Sequence, residues 1–402
     1  MINRPPLLNL ETAEEESSDA DSPTAVRMVK IFFRILLFRT DWLMVIPILV
    51  LLTFGELFIY GTGQQAGGFA AVTFWKRHLT YMAIGGGFWL FFSILDYRWC
   101  SLLSAILYPF SLILLVAVLF FGQKFFGARS WLSIGSVTFQ PSELAKFAVV
   151  LLTAWILSSK KVNVNHPLWL LLVLLLLALP AGITCLQPDL GTAAAMSVPV
   201  AAMIFTARLK WRILLVFLAA GAIILPIGFH CLKTYQKERI MVFFNPERDR
   251  QNRGWTQYQS EIAVGAGGLA GRGFMNSKHS LLGYLPRTVS NSDFIFPVIA
   301  EETGFLGSVT IVLMFMLLLF SILRTALLAP DLFGRYLCVG TAMMLFFHIY
   351  VNIAMCIRMS PVTGLPLPLV SYGGTFLVIT LAYLGIVHSV YGHRERNSIF
   401  DL

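Results

Sequence analysis

Asp293 stands alone in Ser292-Asp293-Phe294-Ile295-Phe296, at the foot of a long apolar run and behind the charged stretch 232–293. A lone carboxylate facing a wet cavity with cations nearby suits general-base work, and the same place, just before a helix, equally suits an N-cap. Glu143 and Lys146 are spaced in Gln140-Pro141-Ser142-Glu143-Leu144-Ala145-Lys146 so that they can pair on one helix face, with Ser142 as the N-cap. Asp189, in Gln187-Pro188-Asp189-Leu190-Gly191-Thr192, opens another apolar run, and there capping is the favoured role. Arg129 with Trp131, and Arg239 in Tyr235-Gln-Lys-Glu-Arg239, offer cations that either clamp a diphosphate through charge-assisted hydrogen bonds or stay solvated. Glu301 and Glu302 follow Asp293 by about two helical turns. A lipid-facing acid is costly, so one of the two is expected to face the interior.

The scaffold that must hold these groups is hydrocarbon. With 57% hydrophobic residues, 13% charged residues and a mean hydropathy of +0.74, the chain is too apolar for a soluble globular protein. A membrane-spanning helix needs about 20 mainly apolar residues. Ten stretches qualify: 42–60, 79–95, 101–121, 143–158, 168–186, 189–207, 211–231, 294–323, 335–357 and 370–391. The expected fold is therefore an all-α polytopic membrane protein with ten transmembrane helices and a long outer loop, 232–293, between the seventh and eighth.

An even count puts both termini on one side. Arg27, Lys30, Arg98, Lys160, Lys161, Arg208, Arg324 and Arg394 stand on that side, against Lys76, Arg77, Lys124, Arg129 and Arg358 on the other, which makes the termini cytoplasmic. The chain divides into a disordered cytoplasmic tail over 1–40, a membrane domain over 41–392 and a short cytoplasmic tail over 393–402. Glu11, Glu14, Glu15, Glu16, Asp19 and Asp21 give the first tail the wrong composition for a cleavable signal.

Several classes are excluded. The net charge of +9 is scattered over membrane-flanking positions, with no basic domain to hold nucleic acid, so orientation and anionic lipid account for it. Cys100, Cys185, Cys231, Cys338 and Cys356 lie in or beside apolar runs without metal-ligand spacing and read as packing residues. The glycines of 265–273 lack the preceding strand and the spacing of a nucleotide fingerprint, so no nucleotide is expected. Trp255, Tyr258 and Ile262 recur at helical spacing, so 254–264 forms an amphipathic helix, either lying at the interface or packed on the bundle. Pro361-Val-Thr-Gly-Leu-Pro-Leu-Pro368 cannot be a regular helix, and irregular backbone near a bilayer must be buried in protein or line a cavity.

These stretches, in this order, resemble the SEDS family of cell-wall glycan polymerases. The likeness rests on Gly127-Ala-Arg-Ser-Trp131, Phe139-Gln-Pro-Ser-Glu-Leu-Ala-Lys146, Gln187-Pro-Asp-Leu-Gly-Thr192, Tyr235-Gln-Lys-Glu-Arg239, Ser292-Asp-Phe-Ile-Phe296 with Glu301-Glu-Thr-Gly304, and 361–374, ending Ser371-Tyr-Gly-Gly374. Pro361-Val-Thr-Gly364 and Trp255-Thr-Gln-Tyr-Gln-Ser260 look more like the elongation branch, RodA, than the division branch, FtsW. The resemblance implies a peptidoglycan glycosyltransferase using lipid II at the outer face of the cytoplasmic membrane, partnered by a class B penicillin-binding protein and other elongation proteins. It places the catalytic acid on Asp293 and matches Glu143 and Lys146 to a cavity pair important for activity; with these two, Arg129, Trp131, Gln140, Asp189, Arg239 and Ser371 are the expected substrate contacts. It also implies a divalent cation, Mg or Mn, at a site it does not assign.

The implied chemistry fits the inventory of residues. A sugar hydroxyl loses its proton as it attacks an anomeric carbon bearing a polyprenyl diphosphate, which leaves as an anion; one base and several cations suffice. Two departures from the family pattern stand out: Leu285-Pro286-Arg287 carries Arg where the family has Glu, with two extra residues before Asp293, and Arg358-Met-Ser replaces small apolar residues. The rival readings are a lipid II flippase, an FtsW-like division polymerase, an ion-coupled transporter and a scaffold for a wall-synthesis complex.

Overall fold

The computed structural model describes residues 40–66, 69–125, 128–134, 137–216, 234–244, 253–277 and 290–394, with isolated positions between them. The chain divides into two units, Met1–Trp42 and Leu43–Leu402, and the bundle belongs to the second. Its helices are α1 (Trp42–Ala66), α2 (Phe69–Ile94), α3 (Trp99–Phe121), α4 (Pro141–Ser158), α5 (Pro167–Leu186), α6 (Leu190–Thr206), α7 (Thr234–Phe244), α8 (Arg253–Ala266), α9 (Ile295–Leu328), α10 (Leu332–Cys356) and α11 (Gly374–Gly392). Apolar runs become helices here because lipid offers no hydrogen-bond partner, so each segment must satisfy its own backbone. Among the described residues, seven helices are long and apolar enough to cross a membrane: α3, α4, α5, α9, α10, α11 and, over Trp42–Gln64, α1. The expected run 211–231 lies largely outside the described residues, although 211–216 are helical, and so do the tail residues 1–39 and 395–402.

The all-α expectation needs one amendment. The connection between α3 and α4 holds a small antiparallel meander of β1 (Gln123–Phe125), β2 (Ala128–Ile134) and β3 (Val137–Phe139), in that order. Gln123 pairs with Trp131 and Leu132 with Phe139, which carries the chain back to the start of α4.

The helices that carry the site form the interior. Ala145, Ala148, Val149, Val150, Leu151 and Ala154 of α4 are buried, as are most residues of α10 and α11. α3 and α5 instead turn Ile106, Ile113, Leu171 and Leu175 outward, the lipid-facing pattern. α2 packs along α11, and α10 is gathered between α9, α6 and α4. At the opposite end of α10 from Cys356, Asp331 caps the helix by accepting from Gly334 N at 2.8 Å while Tyr97 Oη donates to its other oxygen at 2.7 Å. Burial, then Asp331, pushes the Tyr97 phenol well above its ordinary value, so it stays a donor. Cys100, Cys338 and Cys356 are buried and free, as packing residues should be, whereas Cys185 is exposed.

The glycine-rich stretch after α8 serves backbone approach. Gly304 interrupts α9 with φ +66°, and the carbonyls released around the kink accept from the loop: Arg272 N reaches Glu301 O at 3.0 Å and Gly273 N reaches Glu302 O at 3.0 Å. A Cβ at Gly271 (φ +77°) or Gly304 would collide with the opposite backbone, so both positions demand glycine.

α8 is packed on the bundle, and its polar side faces in. Gln257 Nε2 donates to Met355 O at 3.0 Å and Ser360 O at 2.8 Å, and Ser260 Oγ to Cys356 O at 2.7 Å, while Tyr258 and Ile262 are exposed. The last carbonyls of a helix have no partner within it, and α8 supplies donors to those of α10.

Candidate active site

Asp293 lies in the turn 291–294 that leads into α9. The N-cap position of α9 is Phe294, whose side chain makes no cap hydrogen bond, and Asp293 stands one residue before it. Its main-chain oxygen accepts from Asn352 Nδ2 of α10 at 2.9 Å, and the same nitrogen reaches Leu365 O at 2.7 Å. Ser371 Oγ donates to Ser292 O and accepts from Leu367 N at 2.8 Å; Tyr372 N donates to Asn291 O at 2.8 Å. The segment 291–293 is thus laced to the proline-rich connection 361–373, which is non-helical and buries Leu365, Leu367, Leu369 and Val370 as its irregular backbone requires. Gly364 has φ +76°, and the place a Cβ would occupy there is 3.5 Å from Asp293 Oδ2, so the connection runs directly against the half-buried carboxylate.

Glu143 and Lys146 pair as their spacing predicts, Oε1 to Nζ at 2.9 Å, but in enclosure: the Lys146 residue is 1% exposed and Glu143 3%. Lys146 Nζ also lies 3.0 Å from His348 Nε2 of α10 and 5.3 Å from the centre of the Phe376 ring of α11. Ser142 does not cap α4. Pro141 occupies the first helical turn, which moves the N-cap position to Gln140, and the Ser142 hydroxyl is buried without a hydrogen-bond partner among the described residues. Gln140 N lies 3.4 Å from Thr375 Oγ1, joining the starts of α4 and α11.

Asp189 is the cap it was expected to be. Its carboxylate accepts from Thr192 N at 3.0 Å and Thr192 Oγ1 at 2.7 Å, and it acts electrostatically on Glu143. Two residues on, Gly191 abuts Thr363 and Leu365, so the start of α6 borders the same connection as Asp293. Trp131 is half-buried in β2. Arg129 belongs to β2 and Arg239 to α7, and their side chains, like all of Arg287, lie outside the described residues. Arg358, the second departure, pairs its Nη1 with Glu261 Oε2 of α8 at 2.6 Å.

Both acids of α9 face inward, where one was expected. Glu301 accepts from Ser277 Oγ at 2.6 Å and meets His279 Nδ1 at 3.0 Å and Arg272 Nη1 at 3.4 Å, while Glu302 accepts from Met275 N at 2.9 Å. They hold the 272–279 segment to the kinked helix.

The sequence reading missed His348, Asn352 and a part-buried pair, Glu56 Oε2 to His78 Nδ1 at 2.7 Å, which joins α1 to α2. His78 lies beside Tyr372, whose phenol is pushed up by burial first and by Tyr81 second, against the opposing pull of Arg77. For Glu56, His348 and Asn352 the signal was present: an ionisable or amide side chain inside an apolar run is a functional candidate by default.

Fold and site together define a polytopic membrane protein whose polar groups converge at one end of the bundle, around a non-helical connection that abuts a single carboxylate. The chain belongs to the FtsW, RodA and SpoVE family of cell cycle proteins, whose model matches residues 41–396. It is 36% identical over 366 residues to the peptidoglycan glycosyltransferase MrdB of Escherichia coli, covering 89% of this chain and 95% of that one. It is 34% identical over 360 residues to the stage V sporulation protein E of Bacillus subtilis, covering 87% and 96%. Among solved structures, a peptidoglycan synthase complex described as coordinating polymerization and crosslinking has a chain matching at TM-score 0.74 and 33% identity, over 88% of this chain and 98% of that one. The rod shape determining protein RodA of Thermus thermophilus matches at TM-score 0.65 and 30% identity, over 88% and 97%.

Proposed function

We propose that this multi-pass protein of the cytoplasmic membrane is a peptidoglycan glycosyltransferase that polymerises lipid II into glycan strands during cell elongation, with Asp293 as general base. Ten transmembrane helices, cytoplasmic termini and an outer loop over 232–293 put the site at the outer face. The observation that carries the assignment to Asp293 is its setting: one residue before the N-cap position of α9, held by its own carbonyl to Asn352, and abutted by Gly364.

In the proposed reaction Asp293 takes the proton of the acceptor sugar hydroxyl as that oxygen bonds to the anomeric carbon of the donor. The bond from that carbon to the polyprenyl diphosphate breaks, and the leaving group carries the electron pair away as an anion. A diphosphate needs charge stabilisation more than protonation, so a second acid is not required. Lys146 is committed to Glu143 and His348 in this structure, so direct contact with the diphosphate falls to Arg129 and Arg239, with Trp131, Gln140, Asp189 and Ser371 shaping the surrounding walls. Among the described residues no three carboxylate, imidazole or thiol groups converge as a cage for Mg or Mn, and no step of this scheme passes through a metal.

The partner is a class B penicillin-binding protein, the transpeptidase that cross-links the product; the matched synthase complex supports the pairing. Purified protein, with and without that partner, is expected to convert labelled lipid II into glycan ladders, and Asp293→Ala, folded and inserted, to make none. Ladders at the normal rate from Asp293→Ala would remove the base, and transbilayer movement of lipid II without polymer would make the protein a flippase.

A further inference from the structure

His348 has no exposed surface and no part in the scheme above. Its Nε2 is 3.0 Å from Lys146 Nζ, and a lysine ammonium only donates. Nε2 must therefore accept, which leaves the imidazole neutral with its proton on Nδ1. Nδ1 faces Pro366 O at 3.4 Å. The imidazole stacks on Phe376 with ring centres 4.7 Å apart, and the same ring lies under the Lys146 ammonium. One turn along α10, on the same face, Asn352 holds Leu365 O and Asp293 O. A single helix face thus joins the lysine of α4 to the connection that abuts the carboxylate.

We propose that His348 is a positioning residue for glycosyl transfer: as the Nδ1–H tautomer it clamps the Lys146 ammonium to the 364–367 backbone and so sets where the Asp293 carboxylate stands. The role rests on Asp293 being the base of a polymerase. A misplacement of about 1 Å at a reacting group costs on the order of a hundredfold in rate, so a clamp two residues removed from the chemistry can govern it.

Substitutions at His348 separate this role from simple packing. Glutamine can both accept from Lys146 and donate to Pro366 O; asparagine is too short to reach both, and leucine can do neither. In the full-length protein with its transpeptidase partner, His348→Gln is expected to polymerise labelled lipid II within about threefold of the wild-type rate. Assayed well below their own thermal midpoints, which the loss of a partner for the buried Lys146 ammonium is expected to lower, His348→Leu and His348→Asn are expected to fall about tenfold or more in rate. Equal rates for the glutamine and leucine variants, high or low, overturn the clamp, as do rates that merely follow thermal stability. Should His348→Leu not fold, His348→Asn takes its place, and its equality with glutamine is the same refutation. Asp293→Ala run alongside separates the two claims: ladders from it remove the base and this role together, whereas an inactive Asp293→Ala beside a full-rate His348→Leu removes this role alone.

Discussion

The Asn352 side-chain amide reaches the main-chain oxygen of Asp293 at 2.9 Å, from α10, the helix that follows α9 and returns beside it. With its second bond to Leu365 O, one nitrogen spans the two segments that meet at the carboxylate. Asn352→Asp keeps the shape and removes both donors, setting an acceptor against two carbonyl oxygens. Leaving buried carbonyls unpaired costs about 1–3 kcal/mol, and where that strain displaces the base the rate is expected to fall about tenfold to a hundredfold. Glycan-ladder assays on the membrane-inserted variant read this directly, and a wild-type rate would mean that Asp293 is held by something else.

The Glu143–Lys146 pair is expected to behave as a buried ion pair does. Lys146→Met leaves a carboxylate enclosed without its cation, at a cost of about 3–5 kcal/mol. Glu143→Leu leaves the ammonium with His348 and Phe376 alone. Replacing both removes both desolvation penalties, so the double variant is expected to unfold at a higher temperature than either single one, although it polymerises no better. Thermal unfolding of the three purified variants in detergent decides it; a double variant whose loss equals the sum of the singles would show two independent residues rather than a pair.

Which features the sequence disclosed follows from how local their causes are. The helices were legible because lipid forces each apolar run to satisfy its own backbone. The Asp189 cap was legible because its partner is Thr192, within the same turn. Ser142 misled because Pro141 starts the helix two residues earlier than an N-cap serine would allow. The meander between α3 and α4 went unread because its outer strands, Gln123–Phe125 and Val137–Phe139, are too short to show alternation. Gly267 and Gly271 have their reason in the α9 backbone around Gly304, and His348 and Asn352 have theirs in Lys146, Pro366 and Asp293, contacts that only the folded bundle creates.

α8 inverts the usual pattern, and the inversion can be tested against the ion pair that accompanies it. Arg358 to Glu261, at 2.6 Å, is the shorter contact, but Glu261 is largely exposed and such pairs contribute under about 1 kcal/mol. Gln257 is buried and gives both of its bonds to carbonyls of the α10 end and the residues after it, so Gln257→Leu leaves Met355 O and Ser360 O without that donor, at about 1–3 kcal/mol. Amide hydrogen exchange over residues 253–266 is therefore expected to speed up far more in Gln257→Leu than in Arg358→Ala. The reverse order would mean that the arginine, where the family has a small apolar residue, is what fastens α8 to the bundle.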